Sequence, residues 1–354
     1  MLRNGTGWTE ATIHSSRWNS TNAKTLFDYA SSKGYEMDWE LGNEPIGFTG
    51  VFKGLNLTGA QIAQDYADLK ALLQTYDLYK NSLILGLSES GVLSPVEPEF
   101  LNAGGTKYIS ALSTHHYYFD GGRGKGTLQD FLNATILDSF ILYMHRFQNF
   151  NFTPMWLGET SSASGGGAVN ISDRYAGGFL YLDKLGLAAL MGVDVFARQA
   201  ICGAGGPYPF GNYTVLNKEL RPNPDYWLSF VYKKLVGTTV YNVTTDKDDR
   251  NLRLYASSAR NQNGLVLYGQ WITNDSLVLD VPQLSNKQVT LYLLKEGEPG
   301  NLESATSRLN DQQILWDTHL PVANLRGNHT SLPITLPPYS QFFIVLGSDQ
   351  SKSK

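Results

Sequence analysis

Cysteine is nearly absent from this chain of 354 residues: Cys202 is the single one, so no disulfide can form within the chain. Taken alone, that favours a reducing compartment. The asparagines indicate the opposite, because ten of the 24 lie in Asn-x-Ser/Thr acceptor sequences, where chance would place roughly one in six. We therefore predict a glycoprotein of the secretory route. The ten acceptors are Asn4, Asn19, Asn56, Asn133, Asn151, Asn170, Asn212, Asn242, Asn274 and Asn328.

The sequence also lacks a run of basic residues and a long apolar run. With a net charge of −4 and a pI of about 5.9, it has no basic face of the kind that binds nucleic acid. No apolar stretch reaches the roughly 18 residues that a membrane span requires, so we predict no transmembrane segment, while peripheral association with a membrane stays open. A hydrophobic content of 42% is enough for a sizeable core.

Short apolar strands alternate with helical segments up to residue 236, which predicts an α/β fold with a parallel barrel of βα units. A closed (β/α)8 TIM barrel needs eight strands, and the sequence offers five. We therefore expect an incomplete barrel that the chain enters part-way round. Because Met1 to Gly5 is no signal peptide, we also expect residues upstream. The five predicted strands are 37–43, 82–87, 108–114, 155–158 and 193–198.

Helical periodicity accounts for the segments between these strands. We predict one long helix over 127–147, opened by Thr127 and Asp130, and a helix capped by Ser172 and Asp173 that runs to Leu190. The other predicted helices are 22–32, 58–75, a short one ending at 103, and 225–235.

The pattern changes near Gly237, after which short apolar runs are separated by turn residues. This predicts an antiparallel β-sandwich. The predicted domains are a partial catalytic barrel over 1–236, a sandwich over 237–348 and a polar tail over 349–354. The predicted strands of the sandwich lie at 252–254, 265–268, 289–294, 314–316 and 342–346.

Two glutamates each follow an apolar strand: Glu44 in Trp39–Pro45 and Glu159 in Trp156–Ser162. Active groups of βα barrels lie where strands end, and a pair of carboxylates is what acid–base and nucleophilic chemistry on a glycosidic bond requires. The alternative is a pair of structural, ion-paired carboxylates. Asn43 supplies an amide beside the first glutamate that can hold a sugar hydroxyl.

Three other motifs have simpler interpretations. Gly165–Gly167 lacks the Gly-Lys-Ser/Thr of a phosphate loop, so it is either a flexible linker or a close backbone approach to substrate, whose amides can bind an anionic oxygen. His115 and His116 point to opposite faces of a strand and cannot readily chelate one metal ion, so we predict no metal and no cofactor. Arg198 is a substrate contact or a structural ion-pair partner.

Several long motifs resemble glycoside hydrolase family 79, the family of endo-β-glucuronidases of the heparanase type. They are Trp39–Pro45, His115–Tyr118, Trp156–Gly167, Tyr226–Ser229 and Lys233–Thr238. The resemblance implies a (β/α)8 barrel beside a β-sandwich, with Glu44 as acid/base on the fourth strand and Glu159 as nucleophile on the seventh. It places the first three strands before Met1 and implies that a small N-terminal chain completes the barrel.

The resemblance also implies a set of substrate-binding residues. His115 would lie near the nucleophile with Tyr117 and tune its charge, and the glycines would hold a glucuronate carboxylate. Ser164 departs from the family, which has Tyr there, so one substrate contact is expected to differ. The predicted substrate-binding residues are Asn43, His115, Tyr117, Arg123, Gly165, Gly166, Gln199 and Tyr213.

The implied reaction is retaining cleavage of a glycosaminoglycan, either heparan sulfate or a related glucuronan such as hyaluronan. The charge of Glu159 should raise the pKa of Glu44 and give an acidic optimum. Such an optimum suits the lysosome or an acidified extracellular matrix, which are the locations that we expect. Where the family carries a basic cluster for sulfated chains, residues 91–100 hold two acids, Glu97 and Glu99, and like charges repel such chains. The alternative is a non-catalytic extracellular glycosaminoglycan-binding protein on the same scaffold.

Overall fold

A computed structural model describes residues 2–3, 18–47, 57–90, 95–147, 154–203, 211–260, 263–285, 287–316 and 325–347. The chain divides into two compact units. The first comprises residues 1–116, 143–160 and 193–197, and the second comprises residues 117–142, 161–192 and 198–354. In the described part, no helix is long and apolar enough to span a membrane.

The strands of the described residues are β1 (Leu2–Arg3), β2 (Trp18–Asn19), β3 (Trp39–Glu40), β4 (Ile84–Glu89), β5 (Ala111–His116), β6 (Phe119–Asp120), β7 (Met155–Thr160), β8 (Ala163–Ser164), β9 (Val195–Arg198), β10 (Val236–Tyr241), β11 (Leu252–Ala259), β12 (Gly264–Trp271), β13 (Leu277–Leu279), β14 (Gln288–Glu296), β15 (Ser307–Leu309), β16 (Gln312–Gln313), β17 (Asn328–Ser331), β18 (Ile334–Leu336) and β19 (Ser340–Gly347). The helices are α1 (Thr21–Ser32), α2 (Gly59–Leu73), α3 (Val96–Asn102), α4 (Leu128–Phe131), α5 (Ala134–His145), α6 (Gly177–Leu190) and α7 (Pro224–Leu235).

A five-stranded sheet in the order β3-β4-β5-β7-β9 forms the frame of the first unit. The paired strands β3 to β7 run parallel, and the spatial order follows the chain order, as in a βα barrel. All six residues of β5 are buried, including its four polar residues, Ser113 to His116. The fold prediction is confirmed: the chain supplies five strands of a (β/α) barrel, followed by an antiparallel assembly.

Helix α2 shows how the sequence defines an element in this unit. Thr58 and Gln61 form a reciprocal capping box at its start, which satisfies two backbone donors that a helix leaves open. Its buried face includes Tyr66, whose ring lies against Gly86 of β4; a side chain at Gly86 would come within 2.8 Å of that ring. The absence of a side chain there lets the helix approach the sheet.

Two predicted helices differ from the structure. The single helix over 127–147 is divided into α4 and α5, because Asn133 turns its side chain back to accept the N–H of Thr135 at 2.9 Å and starts a second helix. The helix predicted from Ser172 begins at Gly177 instead. Ser172 cannot cap it because its hydroxyl binds Ser162 at 2.7 Å and accepts the N–H of Ala168 at 2.9 Å.

The second unit contains an eight-stranded antiparallel sheet with the path β10-β11-β12-β19-β14-β15-β16, in which β17 also pairs with β14. A smaller sheet pairs β13 with β18. Buried side chains of both sheets, among them Leu336 and Phe342, share one apolar cluster, so the predicted sandwich is present. The strand predicted at 314–316 is wrong: β16 ends at Gln313, and Trp316 packs its ring near Trp227 of α7, 6.3 Å between centroids.

Helix α6 lies against this sheet through a buried polar cluster. Asp183 accepts bonds from Arg253 Nε at 2.6 Å and from the Tyr255 hydroxyl at 2.5 Å. One turn further, Gly186 faces the Tyr255 ring, and a Cβ at Gly186 would lie 2.3 Å from that ring. The glycine therefore sets how closely helix and sheet approach.

We expect Gly186→Ala to lower the free energy of unfolding by about 1–3 kcal/mol, because overpacking displaces the Tyr255 ring. Urea unfolding of the full-length protein measures it. Gly47→Ala is the matched control, since nothing lies within 4 Å of a Cβ at Gly47. Equal stabilities for the two variants would contradict the close approach.

Candidate active site

Glu44 lies on a turn just beyond β3, which is shorter than the predicted strand. The residue has a left-handed backbone, with φ of 46°, and the turn is attached to the end of β4. Its N–H donates to the Ser88 carbonyl at 2.8 Å, and its own carbonyl accepts the N–H of Gly47 at 2.8 Å. The turn therefore fixes the direction in which the carboxylate leaves the backbone.

Strand pairing brings a histidine to the second glutamate. His115 on β5 is directly opposite Glu159 on β7 in the parallel register. His115 Nδ1 lies 2.9 Å from Glu44 Oε1 and 3.9 Å from Glu159 Oε2. The imidazole thus stands between the two predicted catalytic carboxylates, and all three residues belong to the first unit.

The three side chains converge closely. One polar atom from each lies within 4.8 Å of the other two. His115 is 2% exposed, whereas the side chains of Glu44 and Glu159 are 33% and 25% exposed. Both carboxylates can therefore meet an incoming ligand while the histidine stays behind them. In the described part of the chain, this is the cluster that could also hold a cation, but we assign no metal to it.

The electrostatics differ from expectation at Glu44. The hydrogen bond from His115 lowers the pKa of Glu44, against the opposing effect of burial. Burial opposes a charge on His115, but the bond to Glu44 and the charge of Glu159 raise the pKa of His115. The prediction of a raised pKa for Glu44 beside Glu159 is wrong for the free protein. His115, which can carry a positive charge, bonds directly to Glu44 and lowers its pKa.

The other histidine, His116, has a packing role. His116 is buried and makes an edge contact with the Tyr143 ring, 4.6 Å between centroids. The Tyr143 hydroxyl donates to the His115 carbonyl. The backbone that carries His115 is thereby held from behind. Asn43, next to Glu44, is exposed.

Further predicted substrate contacts lie in the second unit. Tyr117 and Tyr213 stack, with centroids 6.4 Å apart and planes inclined by 28°. Gln199 is partly exposed just after β9. Arg123 ends a short 3-10 turn, and its side chain lies outside the described residues.

The glycine run has a defined conformation and is not a linker. Gly165, Gly166 and Gly167 all have positive φ, of 62°, 97° and 90°. A Cβ at Gly165 would lie 2.7 Å from the backbone nitrogen of Gly122. Close backbone approach is therefore present, but its first partner is another loop of the same unit.

Arg198 proves to be a structural ion-pair partner. Its Nη2 binds Asp225 at 2.8 Å, and its Nη1 donates to Ser161 Oγ at 2.6 Å. Asp225 is buried, so the guanidinium compensates a charge that burial would otherwise penalise.

The two acids that replace the basic cluster are not a repulsive surface pair. Glu97 is 3% exposed and pairs with Arg146 at 3.3 Å. Burial raises the pKa of Glu97 to about 7 although Arg146 opposes the shift. Glu99 accepts the N–H of Gly59 at 2.9 Å, at the start of α2. Residues 91–94 lie outside the described residues.

Sequence reasoning missed one carboxylate near the site. Glu89 ends β4 and is fully buried. It follows an apolar strand in the same way as Glu159, so the signal used for the other two glutamates could have found it.

The profile of "Glycosyl hydrolase family 79, N-terminal domain" matches residues 3–186, which is more than half of the chain. The chain belongs to glycosyl hydrolase family 79. Among curated relatives, heparanase of Mus musculus is 39% identical over 93% of this chain and 63% of its own length. "Hyaluronoglucuronidase" of Hirudo nipponia is 32% identical over 96% of this chain and 70% of its own length. The chain thus spans somewhat less than two thirds of the mouse relative.

A solved structure supports the fold of this family 79 chain. A 4-O-α-L-rhamnosyl-β-D-glucuronidase from Fusarium oxysporum 12S has a TM-score of 0.66 at 17% identity, with 93% of this chain and 74% of that chain covered. At this identity the likeness concerns the fold.

We expect Glu44→Gln to lower the pKa of His115, because an amide cannot supply the negative charge that stabilises the imidazolium. Nuclear magnetic resonance titration of the histidines in the full-length protein measures it, with the His115 signal assigned from a His115→Gln sample. Glu303→Gln, at an exposed position, is the control. An unchanged His115 titration in Glu44→Gln would refute the observed pairing.

Proposed function

We propose that this protein is a retaining glycoside hydrolase that cleaves β-glucuronide bonds in a glycosaminoglycan. The observation that carries the proposal is the convergence of Glu44 and Glu159 on one imidazole, with polar atoms within 4.8 Å. Retaining glycosidases place their two carboxyl groups about 5–5.5 Å apart, whereas inverting enzymes leave room for a water. The names of two relatives, heparanase of Mus musculus and hyaluronoglucuronidase of Hirudo nipponia, support the substrate class.

The proposed reaction has two displacements. A carboxylate oxygen of Glu159 bonds to the anomeric carbon, while the bond from that carbon to the leaving oxygen breaks and this oxygen takes a proton from Glu44. Water then attacks the anomeric carbon of the glycosyl ester and gives a proton to Glu44. The ester bond breaks, and its electron pair returns to Glu159.

The proton for the first step is shared by Glu44 and His115. In the free protein their bond favours ionised Glu44 and protonated His115, and moving the proton along this 2.9 Å contact makes Glu44 an acid. The pair titrates as a unit. Activity should therefore fall as pH rises through the raised pKa of His115, where the pair loses its last proton, which gives an acidic optimum.

The observations support two different substrates. Heparan sulfate is supported by the heparanase relative. Hyaluronan, which carries no sulfate, is supported by the leech relative and by the absence of Lys and Arg from residues 91–100. Because Glu97 faces inward, repulsion of sulfated chains by that side chain is no longer an argument against heparan sulfate.

We expect Glu159→Gln to lower the rate at which shorter fragments are released from whichever polymer the protein cleaves, heparan sulfate or hyaluronan, by at least about 1,000-fold. The reason is that an amide cannot form the glycosyl ester. Gel filtration of each digested polymer measures it, and Glu303→Gln is the control. Cleavage by the Glu159→Gln variant at the wild-type rate would refute the hydrolase proposal. Heparin binding without cleavage at any pH between about 4 and 7 would favour a non-catalytic binding protein.

We further propose that another segment completes the barrel, such as a small N-terminal chain. Among the described residues, β3 and β9 form the two ends of the parallel sheet, and unpaired strand edges are prone to association. Near β3, Leu26, Tyr29 and Met37 are exposed. Additional βα units would pair the edges and cover such side chains.

We expect residues 1–354 alone to give little soluble, cooperatively melting protein, and co-expression with a segment of about three βα units to restore both. Calorimetry of the purified products measures it. A stable and active product of residues 1–354 alone would contradict this prediction.

We also propose passage through the secretory route with glycans on the acceptor asparagines. Five acceptors are exposed, namely Asn133, Asn170, Asn242, Asn274 and Asn328, and two are partly exposed, namely Asn19 and Asn212. Asn4, Asn56 and Asn151 lie outside the described residues. Exposure is compatible with glycosylation at these seven positions.

A further inference from the structure

The buried carboxylate at the end of β4 is bonded to the turn that carries Glu44. Glu89 is 0% exposed. Its Oε2 accepts the N–H of Ile46 at 3.0 Å, and its Oε1 accepts the N–H of Ser90 at 2.9 Å. Both oxygens therefore hold backbone donors, and neither donor belongs to a regular strand or helix ladder.

The position of these bonds matters because of Pro45. A proline has no N–H, so the donors of this turn are those of Glu44 and Ile46, on either side of it. The first binds the Ser88 carbonyl at 2.8 Å and the second binds the Glu89 carboxylate. Ser88 and Glu44 both have left-handed φ, of 58° and 46°, a conformation that costs a non-glycine residue free energy. The turn needs outside bonds to persist.

The end of β4 is in turn fixed to β5. The Thr114 hydroxyl donates to the Glu89 carbonyl at 3.0 Å, one residue before His115. The same strand end therefore connects the turn of Glu44 to the strand of His115.

Resting on the proposed function, we infer that Glu89 is a positioning residue for the acid/base Glu44. Its carboxylate anchors the Glu44–Pro45–Ile46 turn, so that the Glu44 oxygen stays within hydrogen-bonding reach of His115. A misplacement of about 1 Å can cost about 100-fold in rate. Glu89 itself does not touch the cleft, because it is buried.

Glu89 also belongs to the electrostatic surroundings of the site. Burial raises the pKa of Glu89, the two N–H donors lower it, the charge of Glu44 raises it and that of His115 lowers it. Glu97 and Tyr143 also interact with it electrostatically. An ionised Glu89 therefore favours the proton on the Glu44–His115 pair.

The test compares three variants of the full-length protein. Glu89→Gln removes the charge and turns an amide donor toward one of two N–H groups. Glu89→Asp keeps the charge and both oxygens but is one methylene shorter. Glu99→Gln is the matched control, because Glu99 also accepts a backbone N–H, from Gly59 at 2.9 Å, away from the turn.

We expect Glu89→Gln to lower kcat at least about tenfold with KM within about threefold, and to move the alkaline limb of the pH profile to lower pH. Glu89→Asp should lower kcat without moving that limb, and Glu99→Gln should change neither. If Glu89→Gln does not fold, the Glu89→Asp result decides.

Two outcomes overturn the inference. The first is a kcat of Glu89→Gln equal to that of the control Glu99→Gln. If Glu89→Gln does not fold, the same comparison is made with Glu89→Asp. The other is a loss of activity proportional to the unfolded fraction with an unchanged kcat per folded molecule. Cleavage that persists in Glu159→Gln would instead refute the proposed function.

Discussion

The hydrogen bond between His115 and Glu44 is the interaction on which the site depends. The parallel register of β5 and β7 places His115 opposite Glu159, and a separate turn brings Glu44 to the same imidazole. The two carboxylates therefore meet at one histidine. The bond lowers the pKa of Glu44 and raises the pKa of His115. The Tyr143 hydroxyl holds the backbone of His115 by donating to its carbonyl. A purely electrostatic argument from the two glutamates omits this third group.

The sequence was sufficient for the parallel sheet because each strand is a short apolar segment with a clear stop. Glu44 and Glu159 became candidates for the same reason, since each is an acid that directly follows a short apolar segment. The β-sandwich followed from the change in spacing near Gly237. Tertiary contacts decided the cases that failed. Trp316 is apolar enough for a strand, yet it lies beyond the end of β16, 41% exposed, with its ring near that of Trp227. Ser172 is a residue type that caps helices, but its hydroxyl bonds to Ser162 instead.

Charge could not be predicted from composition in the same way. Glu97 reads as a surface acid within a Pro-containing loop, but it is buried against Arg146, which lies 49 positions away in sequence. The lowered pKa of Glu44 likewise depends on a partner 71 positions away. Such shifts arise from pairs that only the folded backbone brings together, whereas local capping at Thr58 and Thr127 could be predicted from residues three positions apart.

The three consecutive left-handed glycines have a consequence for how this scaffold can diverge. The shape of this loop depends on backbone dihedral angles that favour glycine. A side chain at any of the three positions would be sterically strained, so these positions tolerate little variation. Ser164, the neighbour on β8, is partly exposed, and its hydroxyl donates to the Phe119 carbonyl at 3.4 Å. A substitution at residue 164 can therefore change a side chain beside this loop and leave its backbone path intact, whereas a substitution at any of the three glycines would change the path itself.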